Sequence, residues 1–331
     1  MKILRFALVI LHSSIVFLLL GTLLNAYIPP KIFPWFNLLS LSFPLLLITH
    51  LILIVFWIIC WRKRAFVFLF MTLFLINPIK RWVNFFSDVK ETPNLKIVSL
   101  NTKAGKLGIS ELKNYINSEN ADIYFLQENP TEDNFLEKEG LHFYRVSPII
   151  SMYSKYKIID KKQLISSDLD LNSYADYFDM EIHGKVYRFI NIYLQPFQFK
   201  KSMVKLDGNS EENEVKVKNV IKRLIPTFKE HENQVKMIRK GIDESPYPVF
   251  VMGDFNAVPN SYEYYYLQKG LKDAFVEVGK GSGTSFHDYK FPLRIDYVFT
   301  SKEIIPVTYT IDRNVHISDH FPIITEFKLE K

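Results

Sequence analysis

Residues 249–256 read Val249-Phe250-Val251-Met252-Gly253-Asp254-Phe255-Asn256, with Pro248 just before them. The apolar run from Val249 to Met252, opened by a proline, predicts a strand buried on both faces. An acid and a carboxamide stand just past its end. Two other stretches repeat the arrangement: Leu95 to Leu100 is followed by Asn101, and Asp122 to Leu126 by Gln127 and Glu128. Polar groups set just beyond buried strands converge on one sheet edge, where rigid elements can hold them. Strand ends also collect Asn and Asp as turn formers, so one such residue would decide nothing. Three in one chain predict a site.

Working outward, Ile109 to Asn117 has helical spacing, and Tyr144 to Ile159 reads as two short strands. Two alternating runs, Tyr177 to Ile182 and Val186 to Tyr193, flank His183-Gly184-Lys185 and predict a hairpin. Residues 211–241 are charged with helical spacing and predict a solvated amphipathic helix, with Pro226 as the point where it would break. A helix over Ser261 to Gly270, a strand over Ile295 to Thr300 and a final strand pair ending Phe321 to Leu329 complete the pattern. Mixed strands and helices without an internal repeat predict a single α/β domain over 91–331, with two packed sheets.

Five short motifs now stand in order: Ser99-Leu100-Asn101, Leu126-Gln127-Glu128, Gly253-Asp254-Phe255-Asn256, Arg294-Ile295-Asp296-Tyr297-Val298-Phe299 and Ser318-Asp319-His320. Any one recurs by chance; the ordered set is specific. On these residues the chain from roughly Leu95 to Leu329 resembles the endonuclease/exonuclease/phosphatase superfamily. That group includes pancreatic-type deoxyribonucleases, abasic-site endonucleases, neutral sphingomyelinases and inositol-polyphosphate phosphatases. The resemblance implies a four-layer fold, a two-sheet β-sandwich core flanked by helices. It also implies a metal-dependent phosphoric ester hydrolase.

The roles it implies make chemical sense. Glu128 and Asn101, with Asp319, would hold a hard divalent cation, Mg2+ first and Mn2+ second, because such ions prefer oxygen donors. Asp254 would take a proton from the attacking water, and Asn256 would orient that water or a phosphate oxygen. His320 would donate to a non-bridging oxygen, with Asp296 fixing its tautomer. Asn191 and Arg294 would bind substrate. Many members carry a histidine where this chain has Tyr193. A phenol there can still donate to phosphate, or simply pack on its strand. Abasic-site enzymes have an acid where this chain has Lys103, so Tyr193 by itself does not point to DNA repair.

Charge divides the chain. Residues 1–90 hold nine Lys and Arg and one acid, Asp88, a net of +8, so residues 91–331 carry −2 of the overall +6. The basicity is therefore no sign of nucleic-acid binding by the hydrolase part. The lone Cys60 excludes an intrachain disulfide and lies in an apolar run unsuited to a thiolate site. Spans about 6–28 and 36–61 are long enough to cross a bilayer, and 65–79 is a shorter third run. They predict a multi-pass transmembrane anchor over 1–90, partnered by the lipid bilayer of the cell membrane. The basic cluster Arg62-Lys63-Arg64, with Lys2 and Arg5, would stay cytoplasmic and put 91–331 outside. Lys80-Arg81 argues the other way.

The expected function is thus hydrolysis of a phosphodiester or phosphomonoester, from a lipid head group or a nucleic acid, by activated water. A nuclease and a non-catalytic membrane scaffold are the alternatives, and no protein partner can be inferred. Lys200, Lys201, Lys205 and Lys216 to Arg223 form a basic strip, but interleaved acids make a solvated face the simpler reading. The stretches 129–147, 195–215 and 279–293 are expected to select the substrate.

Overall fold

The computed structural model describes residues 2–60, 62–85, 89–129, 140–165, 172–199, 201–204, 207–288 and 293–330. Trp61, Lys200, Lys205 and residues 130–139 of the first expected selector lie outside them.

The chain begins with helix α1 (Lys2–Gly21), a 3-10 turn (Thr22–Ala26), α2 (Trp35–Cys60), α3 (Arg62–Thr72), a second 3-10 turn (Leu73–Leu75) and α4 (Ile76–Lys80). There follow β1 (Val83–Asn84), β2 (Leu95–Asn101), α5 (Ile109–Glu119), β3 (Ile123–Gln127), β4 (His142–Arg145), β5 (Ser151–Ser154) and β6 (Ile158–Gln163). The hairpin β7 (Tyr174–Ile182) and β8 (Lys185–Tyr193) leads to α6 (Lys201–Val204), α7 (Ser210–Asp243) and β9 (Val249–Asp254). Last come α8 (Tyr262–Gln268), β10 (Lys272–Asp273), α9 (Ala274–Val278), β11 (Gly281–Ser282), β12 (Asp296–Thr300), β13 (Ile305–Ile311) and β14 (Ile323–Lys328).

Two six-stranded sheets form, in the orders β13-β14-β2-β3-β5-β4 and β10-β12-β9-β8-β7-β6. Phe125, Met152, Phe178, Phe189, Phe250, Val298 and Phe327 fill the space between them. Val98, Tyr124 and Leu126 face α5 on one outer side, and Ile190, Val251 and Phe299 face α7 and α8 on the other. These are the four layers that the resemblance implies. Strands covered on both faces read as unbroken apolar runs, which is why β3 and β9 were legible. The hairpin turns through His183 and Gly184, both at positive φ, as a tight turn demands. Tyr144 to Ile159 holds parts of three strands rather than two. Pro226 does not break α7: the helix continues through it, with Leu224, Phe228, Val235 and Ile238 buried along one face. An Asn209–Glu212 capping box starts it.

Helix α1 with its 3-10 turn, and α2, are long and apolar enough to cross a membrane by length and composition. The run 65–79 is divided among α3, a 3-10 turn and α4. A chain of buried polar contacts ties the bundle together. Trp57 Nε1 donates to His12 Nδ1 at 2.8 Å, so His12 Nε2 carries a proton toward His50 Nδ1 at 2.7 Å. His50 Nε2 in turn meets Thr72 Oγ1 at 3.0 Å.

This bundle is docked on the α/β part by specific contacts. Asn25 Nδ2 donates to the Asn260 carbonyl at 2.9 Å, and Asn37 Nδ2 to Glu263 Oε2 at 2.8 Å. Arg81 reaches Asn260 Oδ1 at 2.9 Å, and its guanidinium lies over the rings of Tyr264 and Tyr265. Strand β1 pairs with β11, Val83 opposite Ser282. Ile15, Leu19, Phe43, Leu75 and Trp82 share one apolar cluster with Val258 and Ile295.

Candidate active site

In each sheet two parallel neighbours end in register: Asn101 opposite Gln127 in β2 and β3, and Tyr193 opposite Asp254 in β8 and β9. The four polar ends therefore meet at one edge of the sandwich. Asp296, which opens β12, lies opposite Asp254, and His320 precedes β14 at the same edge. Gly253 makes the approach of β9 to β8 possible. Its φ is +127°, and a Cβ there would fall 2.1 Å from the Ile192 carbonyl oxygen.

His320 Nδ1 donates to Asp296 Oδ2 at 2.8 Å, while its Nε2 faces Asp254 Oδ2 at 3.8 Å. Burial by itself would discharge the imidazole, but the Asp296 and Asp254 carboxylates outweigh it and raise its pKa to about 10. Burial pushes Asp254 up to about 7; Asp296 adds to the rise, while His320 and the donors from Asn256 and Asn101 oppose it. A proton is thus held on His320 beside a carboxylate poised near neutrality, the pairing that acid–base catalysis needs.

Asn101 Nδ2 bridges Asp254 Oδ2 at 2.9 Å and Glu128 Oε1 at 3.1 Å, and so links the two sheets. The Asn256 backbone N–H donates to Asp254 Oδ1 at 2.8 Å, and its side-chain amide to the Leu194 carbonyl at 2.9 Å. Tyr193 donates to Glu128 Oε1 at 3.0 Å. Burial and the Glu128 carboxylate hold that phenol well above its ordinary range, so it stays a proton donor. Asp254, Asp296 and His320 bring ligand-type atoms within 4.8 Å of one another. His320 is committed to Asp296 through Nδ1, so the trio reads as acid–base machinery.

Glu128 is the carboxylate best suited to a cation. It lines the cavity, is half-buried and has only neutral donors, Asn101 and Tyr193, on Oε1. A carboxylate so placed suits a hard divalent ion that keeps much of its water, while Asn101 turns its Nδ2 toward Glu128 and its Oδ1 accepts from the Lys103 N–H at 2.9 Å. Asp319, grouped with these ligands from the sequence, is instead ion-paired to Lys103 Nζ at 2.7 Å. The structure does not bring Asn191 or Arg294 to the cavity lining. Asn191 is fully buried, its Oδ1 accepting from Gln127 at 2.7 Å. Arg294 is fully buried against Asp273, at 2.7 and 2.9 Å, and donates to the Arg81 carbonyl.

A cavity of about 460 Å³ opens over this machinery. Its lining includes residues that motif reading passed over: Asn37 and Leu41 of α2, Phe197, Leu224, Phe228 and Phe286. Phe197 and Phe286 fall within the stretches 195–215 and 279–293 expected to select the substrate, whereas no sequence signal marked Asn37, Leu41, Leu224 or Phe228, because residues in α2 and α7 read as ordinary helix faces.

Residues 98–320 match the Endonuclease/Exonuclease/phosphatase family. The chain belongs to this family. As a member it is a phosphoric ester hydrolase. Residues 2–82 match a domain of unknown function (DUF8431). Among solved structures, humanized D. rerio TDP2 is 16% identical, over 71% of this chain and 99% of that one, with a TM-score of 0.52. The 3′-5′ exonuclease NExo from Neisseria Meningitidis is 19% identical over 71% and 100%, at 0.51. The human Nocturnin catalytic domain is 17% identical over 71% and 93%, at 0.50. At these identities the likeness is one of fold. No curated protein matches the chain significantly.

Proposed function

We propose that this family member is a membrane-anchored, divalent-metal-dependent hydrolase of phosphoesters borne by lipids. The observation that carries the chemistry is the His320–Asp296 pair set beside Asp254 at the floor of one cavity. Asp254 accepts a proton from the attacking water, and the Asn256 N–H and Asn101 amide hold its carboxylate in place. His320, charged and oriented by Asp296, donates toward a phosphoryl oxygen as negative charge builds there. Tyr193 holds Glu128. Glu128 with Asn101 would hold the metal, and bound Mg2+ would neutralise phosphate charge and steady the leaving oxygen.

The lining favours a lipid over a nucleic acid. Lys103 is its one Lys or Arg among the described residues, and it is ion-paired with Asp319 at 2.7 Å and Asp288 at 3.5 Å. A polyanion gains most of its affinity from free cations. The orientation proposed rests on Lys2, Arg5 and Arg64, which gather at one end of the helical bundle and outweigh Lys80 and Arg81 near the other. Asn25, Asn37 and Arg81 contact the catalytic part at the other. With the basic end cytoplasmic, the catalytic part lies outside.

The test is an assay of the full chain in lipid nanodiscs with Mg2+, on bis-(p-nitrophenyl) phosphate, sphingomyelin and glycerophospholipid vesicles, and a single-stranded oligonucleotide. Hydrolysis of a lipid is expected, abolished by EDTA and restored by Mg2+. Asp254→Asn and His320→Ala should each lower kcat by ~100-fold or more, with the fold retained by circular dichroism. Turnover confined to the oligonucleotide would make the protein a nuclease. No turnover of any substrate with Mg2+ or Mn2+ would make it a scaffold.

A further inference from the structure

The cavity has two unlike ends. At one, Glu128, Asp254, Asp319, His320 and Lys103 are joined to one another directly or through Asn101. At the other, the wall is Leu41 from α2, Leu224 and Phe228 from α7, Val258, Leu293 and Phe197. Phe286 stands between the two, its ring 5.0 Å from that of His320. Asn37, which also faces this end, is already engaged: it donates to Glu263 and accepts from the Tyr262 N–H at 2.8 Å. The apolar wall is also continuous with the helices of the N-terminal bundle, because Leu41, Leu293 and Phe286 pack in one cluster with Leu19, Phe43 and Leu75.

We infer that the apolar end is a subsite for the hydrocarbon tail of the substrate, with α2 of the N-terminal bundle supplying part of its wall, an inference that rests on the phosphoester-hydrolase reading. A phosphoester placed against Asp254 and His320 must direct its leaving or retained group along the cavity. A sugar or a base entering the apolar end would leave its hydroxyls or amides without partners, at a substantial desolvation cost. An alkyl chain loses nothing there and gains with each buried methylene. The occupant is therefore an amphiphile, and the N-terminal bundle selects substrate as well as tethering the enzyme.

The experiment measures calorimetric binding of butyl, hexyl and octyl phosphate to the full chain in nanodiscs with Mg2+, with empty nanodiscs subtracted. In the wild type, Kd should fall by at least ~tenfold from butyl to octyl. Leu41→Phe fills the subsite without adding a polar group, and Leu41→Asn makes its wall polar. In both, the preference for the longer chain should shrink to ~threefold or less. Equal Kd across the series in the wild type, or an undiminished preference in both variants, overturns the tail subsite. Absence of bis-(p-nitrophenyl) phosphate hydrolysis by the wild type overturns the phosphoester reading instead, and the binding series is read without turnover.

Discussion

At Gly253 a hydrogen stands where any side chain would meet the Ile192 carbonyl, on the strand whose end carries Asp254. Gly253→Ala must push β9 off β8 or distort the backbone before Asp254. A loss of about 3 kcal/mol or more is expected from denaturant unfolding, with activity lost in whatever remains folded. Asp176 behaves differently. It accepts from the Ser147 N–H at 2.9 Å and hydroxyl at 2.6 Å, yet burial raises its pKa from 3.8 to about 6, against the lowering by those bonds. A carboxyl with a raised folded pKa takes up a proton on folding. Its stabilising contribution is full below pH 3.8 and is lost as pH rises through about 6. Thermal midpoints of Asp176→Asn measured between pH 4 and 7 should therefore fall less with rising pH than those of the wild type. At this scale the sequence was legible wherever a residue follows a buried strand, as Asn101, Glu128 and Asp254 do. At Arg294 the motif position says nothing of the partner Asp273, against which the guanidinium is buried.

Among the elements, α8 shows how the cavity walls are pinned. Glu263 is fully buried and accepts from Asn37 of α2, while His231 Nδ1 of α7 lies 2.9 Å from it. His231 Nε2 lies 2.8 Å from the Gln195 carbonyl oxygen, in the loop that carries Phe197. One carboxylate thus sets three walls of one cavity. Glu263→Ala strands Asn37 and His231 in the interior, and chemical denaturation should show a loss of about 3–5 kcal/mol. A cost within 1 kcal/mol of zero would remove Glu263 from this role. The helix over Ser261 to Gly270 was legible from its spacing, and Ser261 caps it. The pin was not, because its members lie far apart along the chain and each reads locally as a polar residue on a helix. The continuity of α7 through Pro226 was also hidden, since apolar packing on both sides of the proline offsets the hydrogen bond it forfeits.

In the whole molecule, contacts cross the boundary near residue 90 drawn from a shift in charge and hydropathy. Residues 91–331 alone would lose the Arg81 contacts, the β1 strand and the cover over Val258 and Ile295. That fragment should aggregate or lose activity on lipid vesicles, whereas the full chain in nanodiscs is active; gel filtration with parallel assays distinguishes them. A soluble, fully active fragment would show that the bundle only tethers. Alkaline phosphatase fused after Lys331 should be active if the catalytic part lies outside the cytoplasm, and its inactivity would reverse the orientation. The run of contacts from Trp57 through His12 and His50 to Thr72 acquires a further meaning here. An apolar helix among other apolar helices can slide and spin with little penalty, since one greasy face serves as well as another. Those few hydrogen bonds, with Asn37 to Glu263, set the phase of α2, and a one-residue slip would swing Leu41 by roughly 100° away from the site. The histidines deep in the bundle thus determine which side of a screw the active site meets.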